Sequence, residues 1–354
     1  MTTHRFTSHL DLARLPYFDL APGERLVLAD PAFGPSVDCH THFALAYALP
    51  MRVDLNKLHG RTEHYLPVER PLDLDIYMNK NFTPSDLKRM TGDLTWRSVT
   101  ASGMRRTHTA ANLSAEMSGL GIAHSAVLPI ELPFISKNAE AYLKATRGRR
   151  EFICFGSVHP YELGIDKRLQ RQKSLGAKGV KIHPAVQMIY PDDPRAMRVY
   201  ALCGELDLPV LWHCGPVDIE PKAGRRRSQV RRYEKPVAEN PGTTFLLGHA
   251  GALQPEVALE LASRYPNVWL ELASQALPVI RTILERGPTD RVVMGSDWPF
   301  YHQATGLAKA LLATEGDETV RRKVLYGNAA RLFGLPAGGS IKEPSREETP
   351  SCSA

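Results

Sequence analysis

The sequence lacks the features that define several classes of protein. It has no run of about 18 apolar residues, which a membrane-spanning helix requires. Its N-terminus, MTTHRFTSHLDLARLPYFDL, lacks the basic segment and apolar stretch of a secretory signal. Its five cysteines are scattered and form no C-x-x-C pair, so neither a disulfide framework nor a thiolate zinc site is predicted. We therefore expect a cytoplasmic protein that does not associate with membranes.

Basic residues are in excess but are not concentrated as they are in nucleic-acid-binding proteins. The net charge is +6, and the main basic cluster is GRRRSQVRRY at 224–233, with one aromatic residue at its end. A nucleic-acid partner is therefore not expected. A small anionic molecule is the more suitable partner for such a chain.

Short apolar runs that end in Gly, His, Pro or Asp alternate with longer amphipathic stretches, a pattern typical of repeated βα units around a parallel sheet. The predicted strands are 36–42, 124–130, 152–158, 179–184, 209–214, 243–249, 267–272 and 291–297. Eight strands that are each followed by a helix favour an α/β fold of the closed (β/α)8 TIM-barrel type. A doubly wound open sheet is the alternative, but it would place a Gly-rich phosphate loop where this chain has DCHTHF.

Three segments fall outside this repeat. Residues 1–35, rich in proline and polar residues, are predicted to be an N-terminal extension of a barrel domain at 36–335. Residues 43–107 form a long insertion after the first strand, and we expect a lid over the active site because loops after barrel strands build that face. Residues 336–354 lack apolar periodicity and are predicted to be a disordered tail.

Side chains that can bind metal or transfer protons cluster at the ends of the predicted strands. They are His40, His42, Lys181, His183, His213, His249 and Asp297. The carboxyl ends of the strands carry the active site in TIM barrels. Because residues two apart in a strand face the same side, Asp38, His40 and His42 are expected on one face, and Leu247 on the face of His249.

These residue types favour a metal centre. Imidazole nitrogen and carboxylate oxygen are ligands for zinc and related cations, and three or four of them can leave a coordination position for water. The pKa of such a water molecule falls from about 16 to about 7. The pattern therefore predicts metal-dependent hydrolysis.

Six motifs follow one another between residues 36 and 335: DCHTHF, GVKIHP, PVLWHCGP, FLLGHAG, VVMGSDWPF and YGNAARLFGL. In this order they resemble the amidohydrolase superfamily, specifically its amidohydrolase-related branch of TIM-barrel metal-dependent hydrolases. The resemblance implies that His40, His42, His213 and Asp297 hold a divalent metal ion, with zinc as the first choice and manganese or iron as alternatives. It also implies that Asp297 takes the proton from the attacking water. His249 would either bind a second metal ion or, as we favour for a site with one metal ion, polarise the substrate and shuttle a proton. A homodimer would be in keeping with the resemblance.

Several residues near this set have two interpretations. In two-metal relatives a carbamylated lysine of the fourth strand bridges the ions, and Lys181 lies close to that position, while His183 is nearer the strand end. Arg225 and Arg226 follow the fifth-strand loop and could either grip a substrate carboxylate or form a solvated helix face. Trp298 could wall the pocket or pack in the core.

Two further histidines, His64 and His302, are not assigned to the site. We predict a surface or packing role for His64 and a helix-start role for His302.

Three functions are compatible with these features. The first is hydrolysis of an amide, ester or lactone bond in a small acidic molecule. The second is non-oxidative decarboxylation of an aromatic or muconate-type acid, which related branches catalyse, and a further branch hydrolyses lactones without metal. The third, a non-catalytic binding module, is disfavoured because degenerate members lose a ligand or the eighth-strand aspartate, whereas this chain retains the whole set.

Overall fold

The computed structural model describes residues 4–46, 51–132 and 135–336. The tail predicted to be disordered lies outside the described residues except for Pro336. Within the described part of the chain, none of the helices combines the length and the apolar character needed to cross a membrane.

The strands are short, and most of them fall where the sequence predicts one. In chain order they are β1 (Arg5–Phe6), β2 (Phe18–Ala21), β3 (Arg25–Leu28), β4 (Ser36–Thr41), β5 (Leu72–Asp73), β6 (Ile122–Val127), β7 (Phe152–Cys154), β8 (Val180–Ile182), β9 (Val210–His213), β10 (Phe245–Gly248), β11 (Val268–Glu271) and β12 (Val292–Val293).

The helices lie mainly between the strands. The α-helices are α1 (Pro84–Leu94), α2 (Ala110–Gly119), α3 (Asn138–Ala145), α4 (Ile165–Ser174), α5 (Pro194–Glu205), α6 (Lys222–Arg227), α7 (Glu234–Glu239), α8 (Pro255–Arg264), α9 (Leu277–Arg286), α10 (Gln303–Ala313), α11 (Glu318–Arg322) and α12 (Asn328–Phe333), with a π-helix at Lys323–Gly327. Short 3₁₀ helices cover His9–Arg14, Pro31–Phe33, Met78–Asn81, Trp96–Val99, Met104–Thr107, Val230–Tyr233, His249–Gly251 and Thr289–Arg291.

Eight parallel strands close into a barrel. One sheet has the order β4-β6-β7 and the other β8-β9-β10-β11-β12. Parallel bridges from Gly156 to Val180 and from Thr41 to Trp298 join the two sheets at both seams. The predicted (β/α)8 fold is therefore confirmed, although most strands end earlier than the apolar runs do.

The amino end of the barrel interior is apolar. Residues in and just after the strands pack there against the π-helix and α12. They are Val37, Cys39, Ala126, Leu128, Ile153, Phe155, Leu211, Leu246, Trp269 and Val293, which cluster with Tyr326 of the π-helix and with Ala329 and Phe333 of α12. A second, larger cluster fills the space between the strands and the surrounding helices. Apolar side chains therefore fill the barrel at the amino end of the strands, and the barrel is open at the carboxyl end.

The N-terminal segment and the insertion after β4 pack on each other. β1 pairs antiparallel with β5 of the insertion, and β2 and β3 form an antiparallel hairpin. Helix α1 of the insertion begins with a capping box, in which Thr83 Oγ1 accepts from the Asp86 N–H and Asp86 accepts from the Thr83 N–H. The pairing of β1 with β5 thus ties the N-terminal segment to the insertion.

Candidate metal centre

One cavity of about 320 Å³ opens at the carboxyl end of the strands. Its lining includes all the ionisable residues predicted from the strand ends: His40, His42, Lys181, His183, His213, His249 and Asp297. The insertion contributes Leu45, Tyr77, Asn79, Met90 and Leu94 to the same lining. The barrel thus brings together residues that lie far apart in sequence.

A bulge in β4 corrects the predicted face of Asp38. The pairing of β4 with β6 shifts register between Asp38 and Thr41, so one extra residue is inserted there. Asp38 therefore points away from the cavity, and its carboxylate accepts from Ser296 and Gln303. The prediction that Asp38 shares a face with His40 and His42 was wrong, because the bulge interrupts the strand alternation on which it was based.

One grouping of ligand atoms is that of His40, His42 and Asp297, whose ligand atoms lie within 4.8 Å of one another and which are all buried. Asp297 Oδ1 lies 3.7 Å from His40 Nε2 and 3.6 Å from His42 Nε2. His42 Nδ1 contacts the Leu128 carbonyl at 2.6 Å, and His40 Nδ1 contacts Glu271 Oε2 at 2.6 Å. With each Nδ1–H donated outward, each Nε2 carries a lone pair.

The donor set fits a divalent cation. Burial, followed by the neighbouring Lys181, lowers the pKa of His40 well below its usual range, which keeps this imidazole neutral. Neutral imidazoles with a carboxylate form a ligand set typical of zinc and of other first-row metals. These three residues would hold the ion.

Asp297 sits in a strained conformation that its neighbours impose. Its φ is 67°, a left-handed value that side chains other than glycine adopt rarely, except Asn and Asp. Its N–H donates to the His40 carbonyl at 2.8 Å, and Ser274 Oγ donates to its Oδ2 at 3.2 Å. Strain of this kind persists mainly at functional sites.

His249 and His213 form a second contact in the cavity. His249 Nδ1 lies 3.2 Å from the Ala273 carbonyl and donates to it, so its Nε2 accepts from His213 Nδ1 at 3.1 Å. His213 Nε2 then carries a lone pair, but His213 is not among the three residues whose ligand atoms converge. His249 has a φ of 58°, which breaks the strand alternation, and Leu246 rather than Leu247 faces the interior.

Lys181 and His183 also face the cavity. Lys181 Nζ lies 3.2 Å from His40 Nε2, and burial lowers the pKa of Lys181 while Asp297 and Glu271 act in the opposite direction. The His183 ring stacks on that of His213, with centroids 4.0 Å apart. Both residues are therefore part of the site's surroundings.

Glu271 is a site residue that sequence reasoning missed. Its side chain is fully buried, and besides contacting His40 it accepts from the N–H groups of His249 and Ala273. Burial raises the pKa of Glu271, and these two backbone donors oppose the rise. The available signal was a carboxylate near the end of the apolar strand NVWLEL, in phase with the interior.

Three predicted substrate contacts do not lie on the cavity. Arg225 is half-exposed and pairs with Asp218 at 3.2 Å, and Arg226 is exposed, because the charged face of α6 points to solvent. Trp298 is fully buried elsewhere, and its Nε1–H donates to Glu116 at 3.1 Å. None of the three is therefore among the described residues that line the cavity.

A sequence model of the amidohydrolase family matches residues 37–335. The chain belongs to the amidohydrolase family. Family membership and the His40, His42 and Asp297 grouping support a metal-dependent enzyme that acts on a small molecule.

Solved structures share the fold of this amidohydrolase at low identity. A 2,6-dihydroxybenzoate decarboxylase in complex with 2,6-dihydroxybenzoate is 16% identical, with a TM-score of 0.57, over 84% of this chain and 100% of that one. A dihydroxybenzoic acid decarboxylase from Polaromonas sp. JS666, with manganese and 2-nitroresorcinol bound, is 15% identical, with a TM-score of 0.56, over 85% and 97%. A probable 2-pyrone-4,6-dicarboxylic acid hydrolase from Acinetobacter baumannii, with citric acid bound, is 12% identical, with a TM-score of 0.50, over 85% and 100%. A search among curated proteins found no match.

Proposed function

We propose that this amidohydrolase is a metal-dependent hydrolase that cleaves an amide, ester or lactone bond in a small molecule. The observation that carries the proposal is the convergence of His40 Nε2, His42 Nε2 and Asp297 Oδ1 at the open end of the barrel. A divalent ion held there would polarise a substrate carbonyl and lower the pKa of a water molecule.

The chain's own residues divide the proton transfers. Asp297 takes the proton from the attacking water and passes it to the leaving group, since its Oδ1 faces the two histidines and its Oδ2 is held by Ser274. His249 lies beside His40, with ring centroids 4.6 Å apart, and its position suits it to polarise the substrate carbonyl. Loss of either group would slow the reaction.

We propose one zinc ion, with His213 as a fourth ligand through Nε2. The tautomer of His213 supports this, because its Nδ1–H is already donated to His249. Glu271, His40 and His249 form an overlapping group of ligand atoms. In that group Glu271 already accepts hydrogen bonds from His40 Nδ1 and from two backbone N–H groups. These contacts support a role in orienting the metal ligands rather than in binding a second ion.

The cavity favours a substrate with a polar reacting end and an apolar body. Besides the ionisable side chains its walls include Leu45, Ile130, Val186 and Phe300. Lys181 is the only Lys or Arg among the described lining residues. With Arg225 and Arg226 outside the cavity, support for an acidic substrate rests on Lys181 and on a bound cation.

A second candidate is non-oxidative decarboxylation of an aromatic acid. The apolar walls favour it, because they suit a planar ring and because loss of carbon dioxide needs no water at the reacting carbon. Two solved structures with the same fold, described above, are decarboxylases. The two candidates differ in the fate of water and are separable by product analysis.

The test uses the purified full chain, stripped with a chelator and reloaded with zinc, manganese or iron. p-Nitrophenyl esters, γ-lactones and 2-pyrone-4,6-dicarboxylate probe hydrolysis, and 2,6-dihydroxybenzoate probes decarboxylation. In H₂¹⁸O, hydrolysis labels the acid product, whereas decarboxylation releases carbon dioxide and leaves the product unlabelled. His42→Ala is expected to abolish the metal-dependent rate, with His59→Ala as the matched histidine control outside the cavity.

The outcome that overturns the hydrolase proposal is full hydrolytic rate in the demonstrably metal-free chain. Carbon dioxide release from 2,6-dihydroxybenzoate, together with no labelled product from any hydrolase probe, would replace it with the second candidate.

A further inference from the structure

The chain directly after β10 takes an unusual backbone conformation. Residues 249–252, which we call the His249 turn, have φ values of 58°, 42°, 81° and 50° in sequence order. Glycine adopts such values freely, but Gly251 is the single glycine among these four residues. Ala252, with a ψ of −114°, also lies outside the left-handed helical region. Because strain of this kind persists only where surrounding contacts impose it, the His249 turn must be held by its neighbours.

Gln275 bonds both ends of the His249 turn. Its Nε2 donates to the His249 carbonyl at 2.7 Å and to the Ala252 carbonyl at 2.6 Å. A primary amide has two N–H hydrogens, and here each of them has an acceptor in the turn. Gln275 is buried. Its amide therefore ties the first residue of the turn to the last.

Lys309 of α10 holds the main chain of Gln275. Its Nζ donates to the Gln275 carbonyl at 2.7 Å, and the Gln275 N–H donates to the Leu272 carbonyl at 3.2 Å. Lys309 is buried as well, which is rare for a lysine. Burial lowers the pKa of Lys309 to about 7, with Glu271 and Asp297 acting in the opposite direction. Since an ammonium group and an amine both donate, the contact with Gln275 does not depend on this charge.

The segment 271–275, which begins at the end of β11, contacts His249 in three places. The His249 N–H donates to Glu271 Oε2 at 3.1 Å, and its ring Nδ1 donates to the Ala273 carbonyl at 3.2 Å. The third contact is the one between the His249 carbonyl and Gln275. The backbone and the ring of His249 are therefore both placed by this segment, and a displacement of Gln275 would be transmitted to the ring.

We propose that Gln275 and Lys309 are positioning residues for the reaction at the metal centre. Gln275 fixes the His249 turn, which presents the ring of His249 to the cavity, and Lys309 fixes Gln275. The described lining residues include His249 but neither Gln275 nor Lys309, so both act through His249. The inference rests on the role proposed for His249 above.

The alternative is a purely structural role, in which both contacts stabilise the barrel without affecting His249. The matched control for it is Gln172, which is also buried. Its Nε2 donates to the Ser157 carbonyl at 2.9 Å, and its Oε1 accepts from the Ser157 N–H at 3.0 Å. Gln172→Met therefore removes a buried amide of the same kind from the chain that follows β7 rather than from the His249 turn.

The first test is a double-mutant cycle on the zinc-loaded full chain, with a probe substrate that the wild type turns over. We expect Gln275→Met and Lys309→Met each to lower kcat by about 10–100-fold while the bound zinc is unchanged. Because this loss passes through His249, neither substitution should lower kcat by more than about twofold when it is added to His249→Ala. Gln172→Met should keep kcat within about twofold in both backgrounds.

The second readout does not require activity. ¹⁵N NMR of labelled histidine side chains reports which ring nitrogen is protonated, and the His249 signals are assigned by their loss in His249→Ala. In the zinc-loaded wild type Nδ1 of His249 should be protonated, since it donates to the Ala273 carbonyl. Gln275→Met and Lys309→Met should shift both His249 signals, and Gln172→Met should leave them unchanged.

Two outcomes would overturn the inference in favour of a structural role. One is an equal relative loss of kcat in the wild-type and His249→Ala backgrounds, and the other is unchanged His249 signals in the folded variants. Lys309→Met keeps the comparison decisive if circular dichroism shows that Gln275→Met does not fold. If the wild type turns over no probe substrate, the proposed function fails, whereas the NMR comparison still decides whether Gln275 and Lys309 position His249.

Discussion

The two ends of the barrel interior differ in chemistry although the same strands build both. Leu211 of β9 and Trp269 of β11 pack in the apolar cluster that α12 covers. Two residues further along the same strands, His213 and Glu271 are buried beside the cavity at the carboxyl end. A shift of two residues, about 6–7 Å of strand, therefore separates a packed core from a group of buried ionisable side chains.

This difference indicates that two layers of the barrel interior have different roles. The apolar layer at the amino end of the strands provides stability, and the ionisable layer at the carboxyl end provides reactivity. Apolar burial stabilises the fold by about 25 cal/mol for each Å² removed from water. Ionisable groups buried together cost free energy unless hydrogen bonds or a bound ion compensate them. Substitutions at the apolar end should therefore change stability and spare activity, and substitutions at the ionisable end should do the reverse.

The sharpest test of that separation is Asp297→Asn. We expect the metal-dependent rate to fall by about 10²–10⁴-fold, because the amide cannot accept the proton from water. The free energy of unfolding should be unchanged or higher, since Asn has the same shape and tolerates the left-handed φ of 67°. Steady-state kinetics and urea unfolding measure the two quantities on one preparation.

Ser296→Ala is the neighbouring control, because Ser296 contacts Asp38 and not the cavity. If Asp297→Asn lost activity and stability in equal measure, the residue would be part of the structural core and the proposed layering would be wrong.

The opposite result is expected for Leu246→Ala at the apolar end. Leu246 is fully buried, so the truncation should lower the free energy of unfolding by about 2–5 kcal/mol. The rate per folded molecule should stay within about twofold. Leu163→Ala, at a side chain that is 93% exposed, serves as the control and should change stability by less than about 0.5 kcal/mol.

The layering was predictable from the sequence where periodicity was regular. Apolar runs located all eight barrel strands, and the polar residues at their ends identified the carboxyl end as the site. Predicted contacts failed where the backbone departs from regular alternation. The bulge after Asp38 and the positive φ of His249 depend on tertiary packing, which a local pattern does not encode.

Long-range contacts were the other feature that the sequence did not reveal. Glu271 lies 231 residues from its partner His40, and only barrel closure brings them together. His64 was expected to be a surface or packing residue, and the structure buries it beside Glu116. His302 was expected at a helix start, and it does cap α10, but that role does not indicate the histidines around it.

Glu271→Gln tests whether metal binding by the ionisable layer depends on the hydrogen bonds that Glu271 accepts. The amide presents less negative charge to His40 Nδ1 and places an NH₂ group near the backbone N–H donors, so His40 should be less well oriented. We expect zinc affinity at the metal centre to fall by about 10–100-fold in a competition assay. Glu220→Gln is the matched control, since its carboxylate faces the same cavity but accepts from the Val217 N–H, and it should leave affinity within about twofold. Equal losses in both variants would indicate a general effect of cavity charge.

The smallest effect on catalysis is expected for substitutions of Arg225 and Arg226. These substitutions test whether the substrate site extends to α6. Arg225→Ala and Arg226→Ala should leave kcat and KM within about twofold, because Arg225 pairs with Asp218 at the surface, Arg226 is exposed, and such charges contribute little. Lys181→Met, the matched removal of a cation that faces the cavity, should raise KM for an acidic probe such as 2-pyrone-4,6-dicarboxylate by far more. A 10-fold rise in KM for either arginine variant would mean that α6 moves to reach the substrate. The ionisable layer would then extend beyond the strand ends into the loop that follows β9.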